Sequence, residues 1–189
     1  IIYPLAEVFN AALVYSIYLK TGWTPDFIYI LLLFESLLLI AIIDFRSHLI
    51  LYQPVVFSII VQSIWLIFAG KAVVLNSLLG MFVGAGVFHW IAYLYRVLRN
   101  KVGLGEGDAT LLGLIGFFFG WSFLFPVIFW GAVFGIAGGG LTLILKRQSL
   151  NKEIAFGPWL VLAAFLAWYF PDIFRAIPIH IPDNVVLPI

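Results

Sequence analysis

"FIYILLLFESLLLIAIIDFRSH", residues Phe27 to His48, carries one ionisable side chain, Glu35, before a polar run that opens with Asp44. As an α-helix rising about 1.5 Å per residue, roughly twenty such residues match the ~30 Å hydrocarbon core of a bilayer. The same pattern recurs on both sides of this stretch. Apolar segments are expected near residues 3–19, 26–44, 49–69 and 72–98, separated by turns such as Lys20 to Pro25 and Gly70-Lys71. Residues 109–145 are too long for one span, and a break is expected near Trp121 to Pro126, because an interior proline loses a helix hydrogen bond. Gly157-Pro158 then opens a further helix, proline being suited to a first turn.

Composition agrees with a lipid solvent. The 189 residues are 64% hydrophobic and only 10% charged, with mean hydropathy +1.14, where a soluble domain carries about a quarter charged residues. The expectation is an all-α, polytopic transmembrane helix bundle of about seven membrane segments, forming one membrane-embedded domain over residues 1–189. A net charge of +1 gives no sign of a nucleic-acid partner. With no cysteine there is neither a disulfide framework nor a thiolate metal cluster, and no metal-ligand spacing occurs elsewhere. The first apolar run lacks the basic region and cleavage site of a secretory signal.

With seven spans, two complete crossings separate Asp44 from Asp108, so both fall on one membrane face. That face also gathers Arg46, Arg96, Arg99, Lys101, Lys146, Arg147 and Lys152, against Lys20, Lys71 and Arg175 on the other. The positive-inside bias makes the aspartate face cytoplasmic. Glycines four apart, at Gly80/Gly84, Gly116/Gly120 and Gly131/Gly135/Gly139, are read as helix-packing positions.

Ionisable groups at or near membrane depth are costly, which makes each a functional candidate. Asp26, Asp172, Asp183 and Glu153 fall in turns or tails and are read as solvated; Glu7 and Glu35 are read as interhelical hydrogen-bond partners, with lining the site as the alternative. Asp44 closes one span and Asp108 opens another, with Gly103, Gly105 and Gly107 just ahead of it. Such a loop permits left-handed turns and close backbone approach, so it can bring the acids together with room for a peptide between them. Two carboxylates sharing one proton can activate a water for attack on an amide. The plainer readings are an N-cap for Asp108 and a juxtamembrane charge paired with Arg46 for Asp44. If the pair is catalytic, helix-end electrostatics suggest Asp108, at a helix N-terminus, as the ionised member and Asp44, at a C-terminus, as the protonated one. Glu106 can face a basic ligand or water, and His48 and His180 are read as bystanders. His89 is read as an interhelical hydrogen-bond partner.

Four stretches carry a family resemblance: "YPLAE" (Tyr3 to Glu7), "IIDFRSHLI" (Ile42 to Ile50), Gly105-Glu106-Gly107-Asp108, and "FGPWL" (Phe156 to Leu160). In this order they resemble the type IV prepilin peptidases, membrane aspartyl proteases with a Gly-x-Gly-Asp motif. The resemblance implies that Asp44 and Asp108 are the catalytic pair, that Gly105, Glu106 and Gly107 form the motif loop, and that no cofactor is needed for proteolysis. It implies as partners a type IV prepilin or pseudopilin and the lipid bilayer of the cytoplasmic (inner) membrane, the short basic leader being cut just after a glycine at the cytoplasmic face. The chain departs from the family pattern in reading Ala109-Thr110-Leu111 after the second aspartate, and in having Leu51 where a proline is common, with Pro54 nearby.

Bifunctional members carry an upstream helix and a cytoplasmic region, often with Cys-x-x-Cys pairs, which are not present here. N-methylation with S-adenosylmethionine is therefore expected only if the intact protein has that region, and the opening without Met favours a missing upstream part. The alternative is an archaeal-type preflagellin peptidase without methylation. A rival of another class is an ion-coupled transporter or channel using the two aspartates; its acids would lie nearer the midplane, on broken helices with repeat symmetry, and no repeat is found. Presenilin-type proteases share Gly-x-Gly-Asp but pair it with Tyr-Asp and Pro-Ala-Leu motifs, whereas Ile43 precedes Asp44 and no Pro-Ala-Leu occurs.

Overall fold

The structure, a computed structural model, describes residues 2–47, 51–99, 106–139 and 155–172. Among them are seven helices: α1 (Ile2–Thr21), α2 (Pro25–Ser47), α3 (Tyr52–Ile67), α4 (Lys71–Arg99), α5 (Glu106–Phe119), α6 (Trp121–Phe134) and α7 (Gly157–Tyr169). A π-helical turn, Gly135–Gly139, continues α6. Stretches at Pro25–Ser47, Lys71–Leu98 and Trp121–Gly138 are long and apolar enough to cross a bilayer. By contrast α3, α5 and α7 have 16, 14 and 13 residues, short of the roughly twenty a full crossing takes.

The turns follow local chemistry. α1 stops at Gly22, whose φ of 64° is left-handed and whose N–H returns to Tyr18 O at 2.8 Å. The break between α5 and α6 falls at Gly120, next to the expected stretch, and the glycine makes it, not the proline. Gly120 has φ 86°, while Pro126 lies inside α6 in its second turn. A left-handed glycine redirects the chain there, and the proline is accommodated within the helix.

Lipid as solvent inverts the usual distribution of polarity. Ser36, Ser58, Gln62, Ser77 and Ser122 are buried, whereas Phe68, Phe82, Trp90 and Ile67 face outwards. Within the bundle Gln62 Nε2 donates to Phe117 O at 2.9 Å, and the Tyr29 hydroxyl donates to Gln62 Oε1, linking α2, α3 and α5. Ser58 donates to Ser36 Oγ at 2.6 Å, and Ser36 to Leu33 O at 2.7 Å. Hydrocarbon offers no partners to Tyr29, Gln62, Ser36 and Ser58, and these four find theirs inside the bundle. An aromatic centre, Phe34 of α2 against Phe119 of α5 and Trp168 of α7, fills the middle with rings that are almost wholly buried.

The antiparallel α4 and α5 approach backbone to backbone. A Cβ at Gly84 would lie 2.9 Å from Gly113 N, and Gly80 and Gly116 meet through their main chains with no room for a side chain on either. The packing role read for Gly80, Gly84, Gly116 and Gly120 is therefore what the structure has, and Gly120 serves the turn as well. Gly116→Val, which must push the two backbones apart, is expected to destabilise the protein by about 1–3 kcal/mol or more. Gly70→Ala, with nothing within 4 Å of the added carbon, should melt like the parent. Thermal unfolding in detergent, followed by tryptophan fluorescence, checks the pair.

Candidate active site

Asp44 lies in the last turn of α2 and is only 7% exposed. A buried carboxylate needs donors, because its desolvation is otherwise uncompensated. One comes from across the bundle: Gly157 N–H, at the start of α7, donates to Asp44 Oδ2 at 3.1 Å. Asp108 is the third residue of α5 and half-buried, so it sits inside the first turn and does not precede the helix as an N-cap would. Leu111 follows it by three residues, on the same face of α5. A Cβ at Gly157 would lie 3.4 Å from Leu111 Cδ2 and 2.6 Å from Asp44 Oδ2. The N-terminus of α7 thus touches the end of α2 and the start of α5 at once, which gathers the segments carrying both aspartates at one end of the bundle.

That contact also changes the electrostatic comparison between the acids. Asp44 sits at the C-terminal end of α2 but meets the N-terminal end of α7, while Asp108 lies in the first turn of α5. Each carboxylate therefore has a helix N-terminus beside it, and the helix-end argument no longer ranks Asp108 above Asp44 as the ionised member.

The remaining candidates separate clearly. Glu35 accepts from Asn10 Nδ2 at 2.8 Å, an α1–α2 link of the kind expected for it. Glu7 is exposed on α1. The interhelical role expected of His89 is not what the structure shows: its exposed ring contacts Ala85 O of its own helix at 3.0 Å. In lipid, a partner one turn back satisfies an outward-facing imidazole without a second helix. Gly107 is half-buried in α5, whereas Gly103, Gly105, the side chain of Glu106, His48 and His180 lie outside the described residues. No cluster of three or more potential metal ligands occurs among the described residues.

Two features were not anticipated from the sequence. One is the Gly157 amide on Asp44; "FGPWL" marks a helix start but says nothing about which acid it meets. The other is Lys20, at the opposite end of the bundle, whose Nζ donates to the α7 carbonyls of Trp168 and, at 3.2 Å, of Tyr169. Cations at helix C-termini are favoured by the free carbonyls there, and a lysine closing α1 was the available signal.

A family model described as the type IV leader peptidase family matches residues 31–140, more than half of the chain. The chain belongs to the type IV leader peptidase family. The matched region contains both Asp44 and Asp108. Leader peptidase HopD of Escherichia coli is 36% identical over 92 residues, covering 48% of this chain and 59% of the relative. HopD of Salmonella typhimurium is 36% identical over 101 residues, 51% of this chain and 65% of the relative. The prepilin leader peptidase/N-methyltransferase of Pseudomonas putida is 28% identical over 175 residues, 90% of this chain and 59% of the relative. The chain spans about three fifths of the length of the curated relatives it matches. No solved structure matches it.

The Asp44 contact has a measurable consequence. Asp44→Asn retains an oxygen acceptor for the Gly157 N–H and is expected to fold with near-parental stability. Asp44→Leu leaves a buried amide without its partner and should cost about 1–3 kcal/mol. Comparative melts of the two variants decide this.

Proposed function

We propose that this membrane protein is an aspartyl endopeptidase that removes the short basic leader from type IV prepilins or pseudopilins at the cytoplasmic face of the inner membrane, with Asp44 and Asp108 as its catalytic pair. The observation that carries the reading is the meeting at Gly157. There the start of α7 contacts both the buried carboxylate of Asp44 and the turn of α5 that follows Asp108. Membership of the leader peptidase family and the printed names of the relatives support the same chemistry. The basic residues gathered on the Asp44 and Asp108 side support a cytoplasmic site.

In this mechanism a water lies between the two carboxyl groups, which share one proton. The ionised carboxylate takes a proton as the water oxygen bonds to the scissile carbonyl carbon, and the protonated partner hydrogen-bonds the carbonyl oxygen as it gains charge. Collapse of the tetrahedral intermediate breaks the C–N bond, and the leaving nitrogen takes a proton from the pair. A substrate cleaved between a polar leader and an apolar helix suits a site at the membrane edge, since the helix stays in lipid while the leader remains in water.

Proteolysis on this scheme needs neither metal nor cofactor. S-adenosylmethionine belongs to the proposal only for an intact protein with an upstream methyltransferase region.

The test is incubation of the detergent-solubilised chain with a prepilin, with and without S-adenosylmethionine, followed by mass measurement of the products. Cleavage after the leader glycine is expected, with no added methyl group. Asp44→Asn and Asp108→Asn should each reduce turnover by at least about 10³-fold. Substantial cleavage by either variant would reject the pair.

A further inference from the structure

α7 begins with few uncommitted donors. Trp159 N–H and Leu160 N–H both return to Phe156 O, at 3.1 and 3.2 Å, and Pro158 has no N–H to give. The Gly157 N–H is directed instead at Asp44 Oδ2, 3.1 Å away. This amide is held in place from the other side of α7. Gly131 of α6 abuts Leu160, where a Cβ would lie 2.9 Å from Leu160 Cδ2, and a Cβ at Gly135, in the π-turn that continues α6, would lie 3.4 Å from the Phe156 ring. These two small residues thus let α7 settle close enough for its first amide to reach the carboxylate.

The space at position 157 is equally specific. A Cβ there would stand 2.6 Å from Asp44 Oδ2 and 3.2 Å from its Cγ, with Leu111 Cδ2 at 3.4 Å on the other side. Any side chain must displace the carboxyl group or lift α7 off α2. Residue 157 is helical and stands directly before Pro158, where the proline ring already disfavours a Cβ. The proximity of Asp44 is a second constraint, and it acts on the carboxyl group itself.

We propose that Gly157 is a positioning residue of the aspartyl site: its backbone N–H and its missing side chain together hold the Asp44 carboxyl in one orientation toward the substrate. This rests on the reading of Asp44 and Asp108 as the catalytic pair. A hydrogen bond to one carboxyl oxygen fixes the plane of the group, so the second oxygen cannot swing away while water and amide are being aligned. Misplacement of a catalytic group by about 1 Å costs on the order of 10²-fold in rate. Because Gly157 acts through Asp44, its effect belongs on kcat and not on KM.

The experiment compares Gly157→Ala, Lys20→Met and Asp44→Asn with the parent chain in detergent, measuring melting temperature, kcat and KM on a prepilin. Gly157→Ala is expected to lose about 10- to 100-fold in kcat with KM within about twofold. Lys20→Met removes the contact with the last carbonyls of α7, at the end of the bundle away from Asp44, and should keep near-parental kcat whatever melting temperature it loses. Parental kcat in Gly157→Ala, or an equal kcat loss in Lys20→Met, overturns the positioning role. Turnover by Asp44→Asn overturns the catalytic reading itself, and this inference with it; an inactive Asp44→Asn beside a fully active Gly157→Ala overturns the inference alone. Should Gly157→Ala not fold, the Gly157 amide signal of 15N-glycine-labelled protein is compared between the parent and Asp44→Ala. An upfield shift and faster exchange on loss of the carboxylate are expected; an unchanged signal overturns the proposal.

Discussion

A single amide at the start of α7, meeting a buried carboxylate at the end of α2, ties the architecture to the site. Asp44 cannot stay buried without a donor, and α7 cannot start where it does without a partner for its first N–H. Each need meets the other. Because Leu111 stands beside the same glycine, the contact also brings in the second turn of α5, just after Asp108, and the end of the bundle that carries the two aspartates becomes one packed unit.

The rest of the bundle makes that contact reachable. α5 is held against α4 by glycines whose backbones touch, and α7 is held against α6 by glycines that accept Phe156 and Leu160. In hydrocarbon there is little hydrophobic gain from pressing one apolar helix on another, so close van der Waals packing and buried hydrogen bonds take over. The Gln62 bridge from α3 to Phe117 O and the Ser58–Ser36 bridge between α3 and α2 supply the second of these. At the far end, Lys20 binds the last carbonyls of α7. α7 is therefore tethered at both termini by polar contacts, through its first amide to α2 and through its last carbonyls to α1.

The break expected near residues 121–126 is there, at Gly120, but its cause is the glycine and not the proline: a left-handed φ redirects the chain completely, whereas Pro126 loses only one hydrogen bond inside α6. His89 was expected to reach another helix but faces outward and is satisfied within its own turn. The polar pair Ser58 and Gln62, four residues apart on one face of an apolar helix, was a readable sign of a buried stripe. Which carbonyl Gln62 would meet was not readable.

What the amino-acid order determined by itself was the helical membrane class, the approximate starts of the seven described helices, and the identity of the two aspartates as the acids to examine. Those follow from local chemistry: apolar run length, glycine and proline at turns, and the cost of charge near lipid. Tertiary structure alone decided that α7 stands beside α2, that its first amide faces Asp44, and that Leu111 closes the other side of Gly157. These depend on the relative placement of helices more than a hundred residues apart in the chain, which close glycine contacts and interhelical hydrogen bonds select and which no local pattern encodes.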